Sequence, residues 1–409
     1  MEKLRILLLS SAHPQEPTYF RAFSFGKYLT KLGHRTSLIV TSGKKSFCVA
    51  RKSIDGVDVF ILPRMHVRGH RVSEPSLLGQ SLRIVSRSLT QTLLNCVMAD
   101  ISDFDILHSF DAAAPQNAIP TLMCKILRLL RGHSRKILVD WDDLWGTGGL
   151  LSKTTYSRLK LLCRSVDFLE KRMLLSADAV TVLNETLGKR ALCIGVRPEK
   201  MSVIPNGANV DLIKPFDMFD AREKLGLPLK NIIYAVIGHL EDESFKLLMR
   251  VHKKAVKCHP DSTLLLVRPL RHHADFVKSP EMIRNVILVE GWQPYEKLIL
   301  YYAASNVLLL PMQDNSWNRT RTPLRLYDYL SAGRPIVSTC LPEIAKVIRA
   351  CGLLAIPGDP DDFGEKVLTL IENPDSRREM GRRGRELVVD RYSWQIRTRQ
   401  LEKVYSRFL

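Results

Sequence analysis

The chain has 409 residues, of which 45% are hydrophobic and 25% are charged, so its composition is that of a globular protein with room for two domains and sizeable cores. It contains no run of about 18 consecutive apolar residues, which excludes a transmembrane helix on hydropathy. The formal net charge of +19 favours anionic partners, and nucleic acid, an anionic membrane and a phosphorylated substrate all stay open.

Eight cysteines are scattered along the chain without a CxxC pair or a His/Cys cluster at zinc spacing. This pattern predicts a reducing cytosol and no structural metal. The first residues have a basic start, but their apolar run extends only from Ile6 to Leu9, which is too short for the core of a signal peptide. We therefore expect a buried first strand and a cytoplasmic protein.

In the first half of the chain, short apolar strands alternate with amphipathic helices. A helix is predicted from about residue 19 to residue 32, where Gly33 ends it, and a second over 74–99, where apolar residues recur at three- and four-residue steps. Strands are predicted at 4–9, 36–41, 57–62, 106–107 and 137–139. This alternation predicts a parallel sheet with helices on both faces.

The same pattern restarts after the turn signal Pro205-Asn206-Gly207. A long helix is predicted after Pro360, and a last helical stretch from about 393 to 408. Further strands are predicted at 232–237, 263–267, 286–289, 307–310 and 336–338. The sequence therefore predicts an α/β protein with two doubly wound, Rossmann-like domains, residues 1–208 and 209–392, which bind ligands at the carboxyl ends of their strands.

The run RTPLRLYDYLSAGRPIVST, residues 321–339, resembles the donor-binding segment of the retaining, family-4-type (group 1) glycosyltransferases of the GT-B fold. Other segments are similar to that family in the same order along the chain. They are VIPNGAN (203–209), NVILVEGWQPYEKLILYYAASNVLLLP (285–311), GLLAIPGDPDDF (352–363) and YSWQIRTRQLEKVY (392–405).

This resemblance implies two lobes facing a cleft, with a last helix, residues 393–409, that packs back on the N-terminal lobe. It also implies a hexosyltransferase whose donor is a UDP- or GDP-sugar and whose acceptor is a glycan, a lipid-linked molecule or another compound. The family is metal-independent, so we expect no metal and no cofactor besides the donor substrate.

The resemblance places the donor in the C-terminal lobe. Backbone N–H groups around Thr322, Pro323 and Leu324, at a helix start, suit a diphosphate, and Asp328 can accept hydrogen bonds from ribose hydroxyls. The nucleotide base is expected to contact Glu290, Gly291 and Trp292. The structural alternative is an ordinary helix–strand unit with a surface aspartate.

Several family positions differ in this chain. The family's second acid, eight residues before Asp328, is Thr320, and its phosphate-binding Arg and Lys fall at His239 and near Glu243. Its glycine-rich segment after Val267 reads Arg268-Pro269. Because guanidinium groups match phosphate geometry, candidates to replace the lost charge are Arg321, Arg325 and Arg268, with His239 as a further donor contact. Their alternative role is that of solvated surface charges.

Polar residues also follow the predicted strands of the N-terminal lobe. The family's catalytic-site histidine would fall at Phe110, and His108, two residues earlier, shares its strand face, so His108 is either a substitute or a core histidine. Asp111, Asp142 and Asp143 are candidate catalytic or hydroxyl-binding groups, and the last two could instead cap loops or helices. In the first loop, His13 and Arg21 are the polar candidates.

A basic segment of the N-terminal lobe favours peripheral contact with an anionic membrane at its cytoplasmic face, although a solvated face is the alternative. Its residues are Arg64, Arg68, Arg71, Arg83 and Arg87, with one acid, Glu74. Other functions stay open on sequence: a sugar-nucleotide epimerase of the same fold, or a non-catalytic relative that binds polyanions. Nucleic acid is not expected, because no recognised module or basic–aromatic stripe is present.

Overall fold

The computed structural model describes residues 3–14, 16–43, 46–63, 92–99, 103–111, 114–132, 135–153, 160–277 and 284–408. The chain forms two compact units. Unit 1 comprises Met1–Pro205 together with Trp394–Leu409, and unit 2 comprises Asn206–Ser393. The predicted boundary after residue 208 falls three residues later than the observed one.

Unit 1 contains an eight-stranded sheet in the order β3-β4-β2-β1-β5-β6-β7-β8. All neighbouring strands are parallel except β3, which pairs antiparallel with β4. The strands are β1 (Arg5–Leu9), β2 (Arg35–Thr41), β3 (Ala50–Ile54), β4 (Val57–Leu62), β5 (Ile106–Ser109), β6 (Lys136–Trp141), β7 (Ala179–Val182) and β8 (Met201–Val203). The central strand β1 is a continuous apolar run because helices cover both faces of the sheet.

Helices connect these strands in the first segment of unit 1. They are α1 (Pro17–Lys31), α2 (92–99), α3 (Pro115–Arg131), α4 (Lys160–Ser176) and α5 (Glu185–Ile194). Local sequence explains their ends: α3 starts with a proline and stops at Gly132, whose φ is 67°, and the Asn184 side chain caps α5 by accepting the Leu187 N–H.

Unit 2 contains a six-stranded, wholly parallel sheet in the order β11-β10-β9-β12-β13-β14. The strands are β9 (Ile232–Ile237), β10 (Ser262–Val267), β11 (Val286–Val289), β12 (Val307–Leu310), β13 (Ile336–Thr339) and β14 (Gly352–Ala355). The strand order reverses between β9 and β12, and the carboxyl ends at such a switch point are where doubly wound sheets bind ligands.

Nine helices surround this second sheet in the described part of unit 2. They are α6 (Met218–Leu225), α7 (Asp242–Cys258), α8 (Arg271–Val277), α9 (Tyr295–Ala304), α10 (Ser316–Arg319), α11 (Leu324–Ser331), α12 (Pro342–Ile348), α13 (Pro360–Glu372) and α14 (Pro374–Arg391). Between α11 and β13 the chain turns at Gly333, whose φ is 68°. A Cβ on Gly381 of α14 would lie 2.1 Å from the Gly333 carbonyl oxygen, so α14 packs backbone-to-backbone against this turn.

The last helix, α15 (Trp394–Tyr405), belongs to unit 1. Trp394 packs edge-on against Phe25 of α1, and the Tyr405 hydroxyl lies 2.8 Å from His108 Nδ1 on β5. Both rings are almost fully buried. The last helix therefore completes the core of the unit that the first residues begin.

The two doubly wound sheets confirm the predicted fold class. Of the helix predicted over 74–99, residues 92–99 are helical and the rest lie outside the described residues. Strand β3 was not predicted, because its sequence ARKSI is polar and largely exposed at the sheet edge. Across the described ranges, no helix combines the length and apolar composition needed to span a bilayer.

Candidate functional site

In unit 2, helix α11 is fastened to the carboxyl end of β9, at the switch point of the sheet. The Ile237 N–H donates to the Tyr329 hydroxyl at 3.0 Å. Arg325 Nη1 donates to the His239 carbonyl at 2.7 Å. These bonds fix the start of α11 beside the loop that follows β9, so the predicted donor segment lies where the fold places a ligand.

Asp328 is buried in the middle of α11, with 9% of its surface exposed. The Tyr295 hydroxyl donates to its Oδ1 at 3.1 Å, and Tyr302 hydrogen-bonds to the same carboxyl group. Burial raises the pKa of Asp328 to about 7, against the opposing effect of the two tyrosine hydroxyls. The residue is therefore not the surface aspartate of the structural alternative.

The segment before α11 presents a buried hydroxyl group. Thr322 is 3% exposed, and its Oγ1 has no hydrogen-bond partner among the described residues. Its carbonyl accepts from Asn206 Nδ2 at 3.0 Å, which holds the segment in place. Pro323, the N-cap residue, has no N–H, so backbone donors in this segment can come from Thr322 and Leu324 but not from Pro323. An unpartnered buried hydroxyl at a helix start is a place for a polar ligand atom.

The three candidate arginines have different surroundings. Arg321 stacks on the Trp317 ring, with 3.8 Å between its Cζ and the ring centroid. Arg325 Nη1 donates a hydrogen bond to the loop after β9, so this side chain orders the loop and also carries a positive charge. Arg268, directly after β10, has a φ of 60°, a conformation that L-residues rarely adopt and that costs about 1–2 kcal/mol. The chain thus holds an arginine in a backbone conformation that suits the glycine expected there.

The remaining predicted donor contacts are exposed, and the family's second acid is absent. Glu290, Gly291 and Trp292 follow β11, and Trp292 is 49% exposed, which leaves its ring available for stacking. His239 is also exposed. Thr320 is buried, and its hydroxyl donates to the Trp317 carbonyl, so it is committed to the helix end.

In unit 1, two carboxyl groups meet at the switch point between β1 and β5. The Thr18 hydroxyl lies 3.1 Å from Asp111 Oδ1 and 3.0 Å from Asp142 Oδ2. Since it has one proton, it can donate to only one of them at a time. Burial raises the pKa of both carboxyl groups, that of Asp142 to about 7. The charge of Asp142 raises the pKa of Asp111 further, and the charge of Asp140 raises that of Asp142. The two carboxyl groups therefore share one hydroxyl donor in a buried place where ionisation is costly.

Asp111 also has an unusual backbone. Its φ is 54°, directly after β5, and it is 5% exposed. Asp142 Oδ1 is buried without a hydrogen-bond partner in the described structure. Asp143 Oδ1 instead accepts the Leu144 N–H at 3.0 Å, which is the capping role that the sequence left open.

Beneath this pair lies a buried ion pair that the sequence did not predict. Arg21 Nε and Nη2 each donate to Asp140 at 2.9 Å, and both side chains are almost fully buried. Arg21 also donates to the Ile204 carbonyl at 2.8 Å. Arg21 therefore attaches helix α1 to the sheet and is not the polar loop residue that the sequence suggested. The only sign in the sequence that its side chain would be buried is the apolar composition of the helix around it.

His108 is a core histidine and not a substitute for the family's catalytic-site residue. It is 0% exposed. Its ring nitrogens lie 2.8 Å from the Tyr405 hydroxyl and 3.3 Å from Thr181 Oγ1. Burial lowers its pKa to about 4, so the ring is neutral at physiological pH. It has no surface from which to contact a substrate.

One group of side chains in the described ranges could hold a metal ion. Asp242, His272 and His273 place their ligand atoms within 4.8 Å of one another. In the structure Asp242 Oδ1 instead accepts from both histidines, at 2.6 and 2.8 Å. The Asp140–Asp143 acids do not form such a group. The basic segment Arg64 to Arg87, with Glu74, lies outside the described residues.

Comparison with known proteins gives two family matches, one to each half of the chain. A model described as Glycosyltransferase Family 4 matches residues 21–212. A model described as Glycosyl transferases group 1 matches residues 231–373. The first covers most of the first segment of unit 1 and ends just inside unit 2, and the second covers the part of unit 2 that contains α11.

Among curated proteins, the chain is 28% identical over 286 residues to the teichuronic acid biosynthesis glycosyltransferase TuaH of Bacillus subtilis (strain 168), covering 66% of each chain. It is 23% identical to the D-inositol 3-phosphate glycosyltransferase of Acidothermus cellulolyticus, over 49% of this chain. The matches span only 66% and 46% of those relatives' own lengths.

Among solved structures, sucrose-phosphate synthase from Thermosynechococcus elongatus superposes with a TM-score of 0.74 at 18% identity, covering 99% of both chains. Anabaena Alr3699/HepE in complex with UDP-glucose gives 0.68 at 14% identity, over 99% of this chain and all of the other. At these identities the likeness shows a shared fold, and it extends across both units.

Proposed function

We propose that the chain, which belongs to the group 1, family 4 glycosyltransferases, is a hexosyltransferase. It transfers a sugar from a UDP- or GDP-sugar to a glycan, lipid-linked or other acceptor. The observation that carries the donor part is Thr322 with Asp328: an unpartnered buried hydroxyl at the start of α11 and a buried carboxyl group within it. Both lie in the segment that the group 1 family model matches.

In the proposed reaction, the bond between the sugar C1 and the diphosphate oxygen breaks and the diphosphate leaves with the electron pair. An acceptor hydroxyl oxygen forms the new bond to C1 and loses its proton. Backbone N–H groups at the start of α11, together with Arg321, Arg325 and Arg268, meet the charge that develops on the leaving diphosphate. Asp328 accepts hydrogen bonds from the ribose, and Trp292 lies against the base.

We assign the acid pair of unit 1 to the acceptor. The supporting observation is the unpartnered Asp142 Oδ1 beside Asp111, near the switch point of the unit 1 sheet. A carboxyl pair that retains one proton can both accept a hydrogen bond from a sugar hydroxyl and take up its proton. Asp143 borders the pair on the same loop.

A thermal-shift panel of UDP, GDP, ADP and the matching nucleotide sugars tests the donor assignment. A nucleotide present at about 100 times its dissociation constant adds about 2.7 kcal/mol to the stability of the protein that binds it. We expect UDP or GDP to raise the melting temperature and ADP to do so less. Asp328→Ala should reduce the shift to half or less, whereas Asp261→Ala, which replaces an exposed aspartate of unit 2, should retain it. The donor assignment fails if no nucleotide shifts the wild type.

The family resemblance further suggests retention of configuration at C1. Slow hydrolysis of the donor by water, with no acceptor present, lets NMR follow the released sugar before its anomers equilibrate. With an α-linked donor we expect the α-anomer first. Initial release of the β-anomer would show inversion.

We also propose that the enzyme works in the cytoplasm, in peripheral contact with the anionic face of the membrane. The support is the net charge of +19, because a basic protein is attracted to anionic lipid. The contact should weaken with salt, since exposed charges are screened over about 8 Å at physiological ionic strength. Co-sedimentation with anionic vesicles at low and high salt tests it.

A further inference from the structure

Helix α3 of unit 1 exposes large apolar residues, although part of its buried side is polar. Its polar residues Asn117 and Thr121 face the sheet and are buried, and Asn117 Nδ2 donates to the Phe110 carbonyl at 2.7 Å. Ala118 and Cys124 are buried as well, but several large apolar residues face outward, with Leu129 and Leu130 73% and 76% exposed. Surface helices ordinarily bury their apolar side, so this face is unusual.

The outward residues of α3 form one continuous stripe. Ile119, Ile126, Leu129 and Leu130 are all exposed, and at about 100° per residue they lie within roughly 100° of helix circumference. The stripe is about 16 Å long from first to last residue. The helix sequence PQNAIPTLMCKILRLLR contains no acidic residue. Nothing within the stripe is polar.

Helix α4 packs beside α3 and exposes aromatic and basic residues of its own. Phe168 is 60% exposed, and the Arg172 guanidinium lies over its ring. Arg164 and Lys171 are also exposed, at helical spacing from Phe168. Both acids of α4 have partners: Glu170 is buried and bonded to Trp141, and Asp167, which is half-buried, accepts from the Thr147 N–H.

We propose that the α3–α4 face, made of the α3 stripe and the exposed residues of α4, inserts into the surface of an anionic bilayer. Leucine, isoleucine and phenylalanine side chains flanked by Arg and Lys are what a helix lying in the lipid interface presents. Long basic side chains can lay their methylene stems against the acyl region while their charged ends contact phosphates.

The charge of the face selects lipid over a second copy of the chain. Each helix carries an excess of basic residues, α3 without any acid, so two such faces would repel each other. An anionic bilayer supplies both the opposite charge and the apolar phase. This inference rests on the proposed function in one respect, the proposed contact with an anionic membrane. It assigns that contact to α3 and α4 rather than to the Arg64–Arg87 segment.

Vesicle co-sedimentation with the full chain tests the assignment. The probes are vesicles of phosphatidylcholine alone and of equimolar phosphatidylcholine and phosphatidylglycerol. Leu130→Ser and Phe168→Ser should each weaken binding to the mixed vesicles by about tenfold, because each removes an apolar side chain that enters the bilayer. The matched control is Phe219→Ser, which alters a phenylalanine of unit 2 that is 55% exposed.

A second set of variants tests the role of charge. The test variant combines Arg164→Gln with Lys171→Gln. The control combines Lys253→Gln with Lys257→Gln, at two exposed lysines of α7. The first pair should lower binding to the mixed vesicles severalfold, and the second should leave it unchanged. All variants should keep the nucleotide-induced thermal shift, which separates this inference from the donor assignment.

Two outcomes overturn the inference. In the first, Leu130→Ser and Phe168→Ser bind the mixed vesicles as tightly as the wild type does. This result would be stronger still if Arg83→Gln with Arg87→Gln abolished the binding. The other is absence of vesicle binding together with a dimer, seen by analytical ultracentrifugation, that Leu130→Ser dissociates, because the face would then be an interface between copies.

Discussion

At the scale of single residues, Asp328 is a carboxyl group placed where ionisation is costly. Its pKa of about 7 means that it is largely protonated below neutral pH and ionised above it. Only the ionised group accepts charge-assisted hydrogen bonds from two ribose hydroxyls. The protonation of one residue should therefore govern nucleotide affinity across the physiological range.

We expect UDP or GDP to bind more tightly at pH 8 than at pH 6, by up to about tenfold, as Asp328 loses its proton. Asp328→Asn should bind more weakly at pH 8, by about 1.5–3 kcal/mol, and should show no such pH dependence. Calorimetric titration at both pH values measures this. A wild-type affinity that stays constant between them would remove Asp328 from the ribose contact.

The acid pair of unit 1 makes a different prediction, about stability. In the unfolded chain Asp142 ionises near its ordinary pKa, whereas in the folded protein its pKa is about 7. The folded state therefore loses stability as pH rises from about 4 towards 7, where the unfolded state releases its proton and the folded state does not.

Asp142→Asn should accordingly raise the free energy of unfolding at pH 8, by about 2 kcal/mol, and raise it less at pH 5. Urea denaturation at the two pH values gives the comparison, with Asp143→Asn, at the adjacent aspartate that accepts the Leu144 N–H, as the control. Destabilisation at pH 8 would mean that Asp142 is ionised and well solvated in the folded protein.

At the scale of elements, helix α1 is attached to the sheet by charge as well as by apolar packing. Arg21 bonds to Asp140 on β6 and to the carbonyl of Ile204 after β8, so one side chain links the helix to two distant strands. Breaking a buried ion pair leaves one charge uncompensated, which costs about 3–5 kcal/mol, whereas removing both partners costs far less.

Arg21→Met alone should therefore destabilise unit 1 by about 3–5 kcal/mol. The double variant Arg21→Met with Asp140→Leu should recover most of that loss. Chemical denaturation followed by tryptophan fluorescence reports on unit 1 through Trp141 and Trp394. Equal destabilisation by the single and double variants would show that the pair matters through its hydrogen bonds to neighbours, not through its charges.

The elements themselves were largely predictable from sequence. Strands β4, β9, β11 and β12 occupy the predicted residues, because buried parallel strands are short apolar runs bounded by turn residues. The polar edge strand β3 carries no such signal. The candidate site was less predictable, since Tyr295 meets Asp328 and Thr18 meets Asp142 across 33 and 124 residues, and no periodicity encodes contacts at those separations.

At the scale of the whole molecule, the chain should need no metal. The Asp242, His272 and His273 group is the one ligand cluster in the described ranges, and it lies at the starts of α7 and α8 with its members bonded to one another. We expect EDTA to leave the rate of donor turnover unchanged, where turnover is measured as release of the nucleotide.

The control for that experiment is His272→Ala. Should EDTA abolish turnover and Mn²⁺ or Zn²⁺ restore it, this variant decides whether the cluster is responsible. Loss of metal-dependent recovery in His272→Ala would identify the metal site, and unchanged recovery would direct attention to the acids Asp140 to Asp143 instead.

The return of helix α15 to unit 1 has a consequence for how the protein is made. Ribosomes deliver a chain in order, and domains ordinarily fold as they emerge, the earlier one first. Here unit 2 is a continuous segment and is synthesised completely before α15. Until α15 is synthesised, His108 and Phe25 lack the rings that cover them, which are those of Tyr405 and Trp394. The unit that is synthesised first is therefore finished last, and during translation its open core is the part of the nascent chain most in need of a chaperone.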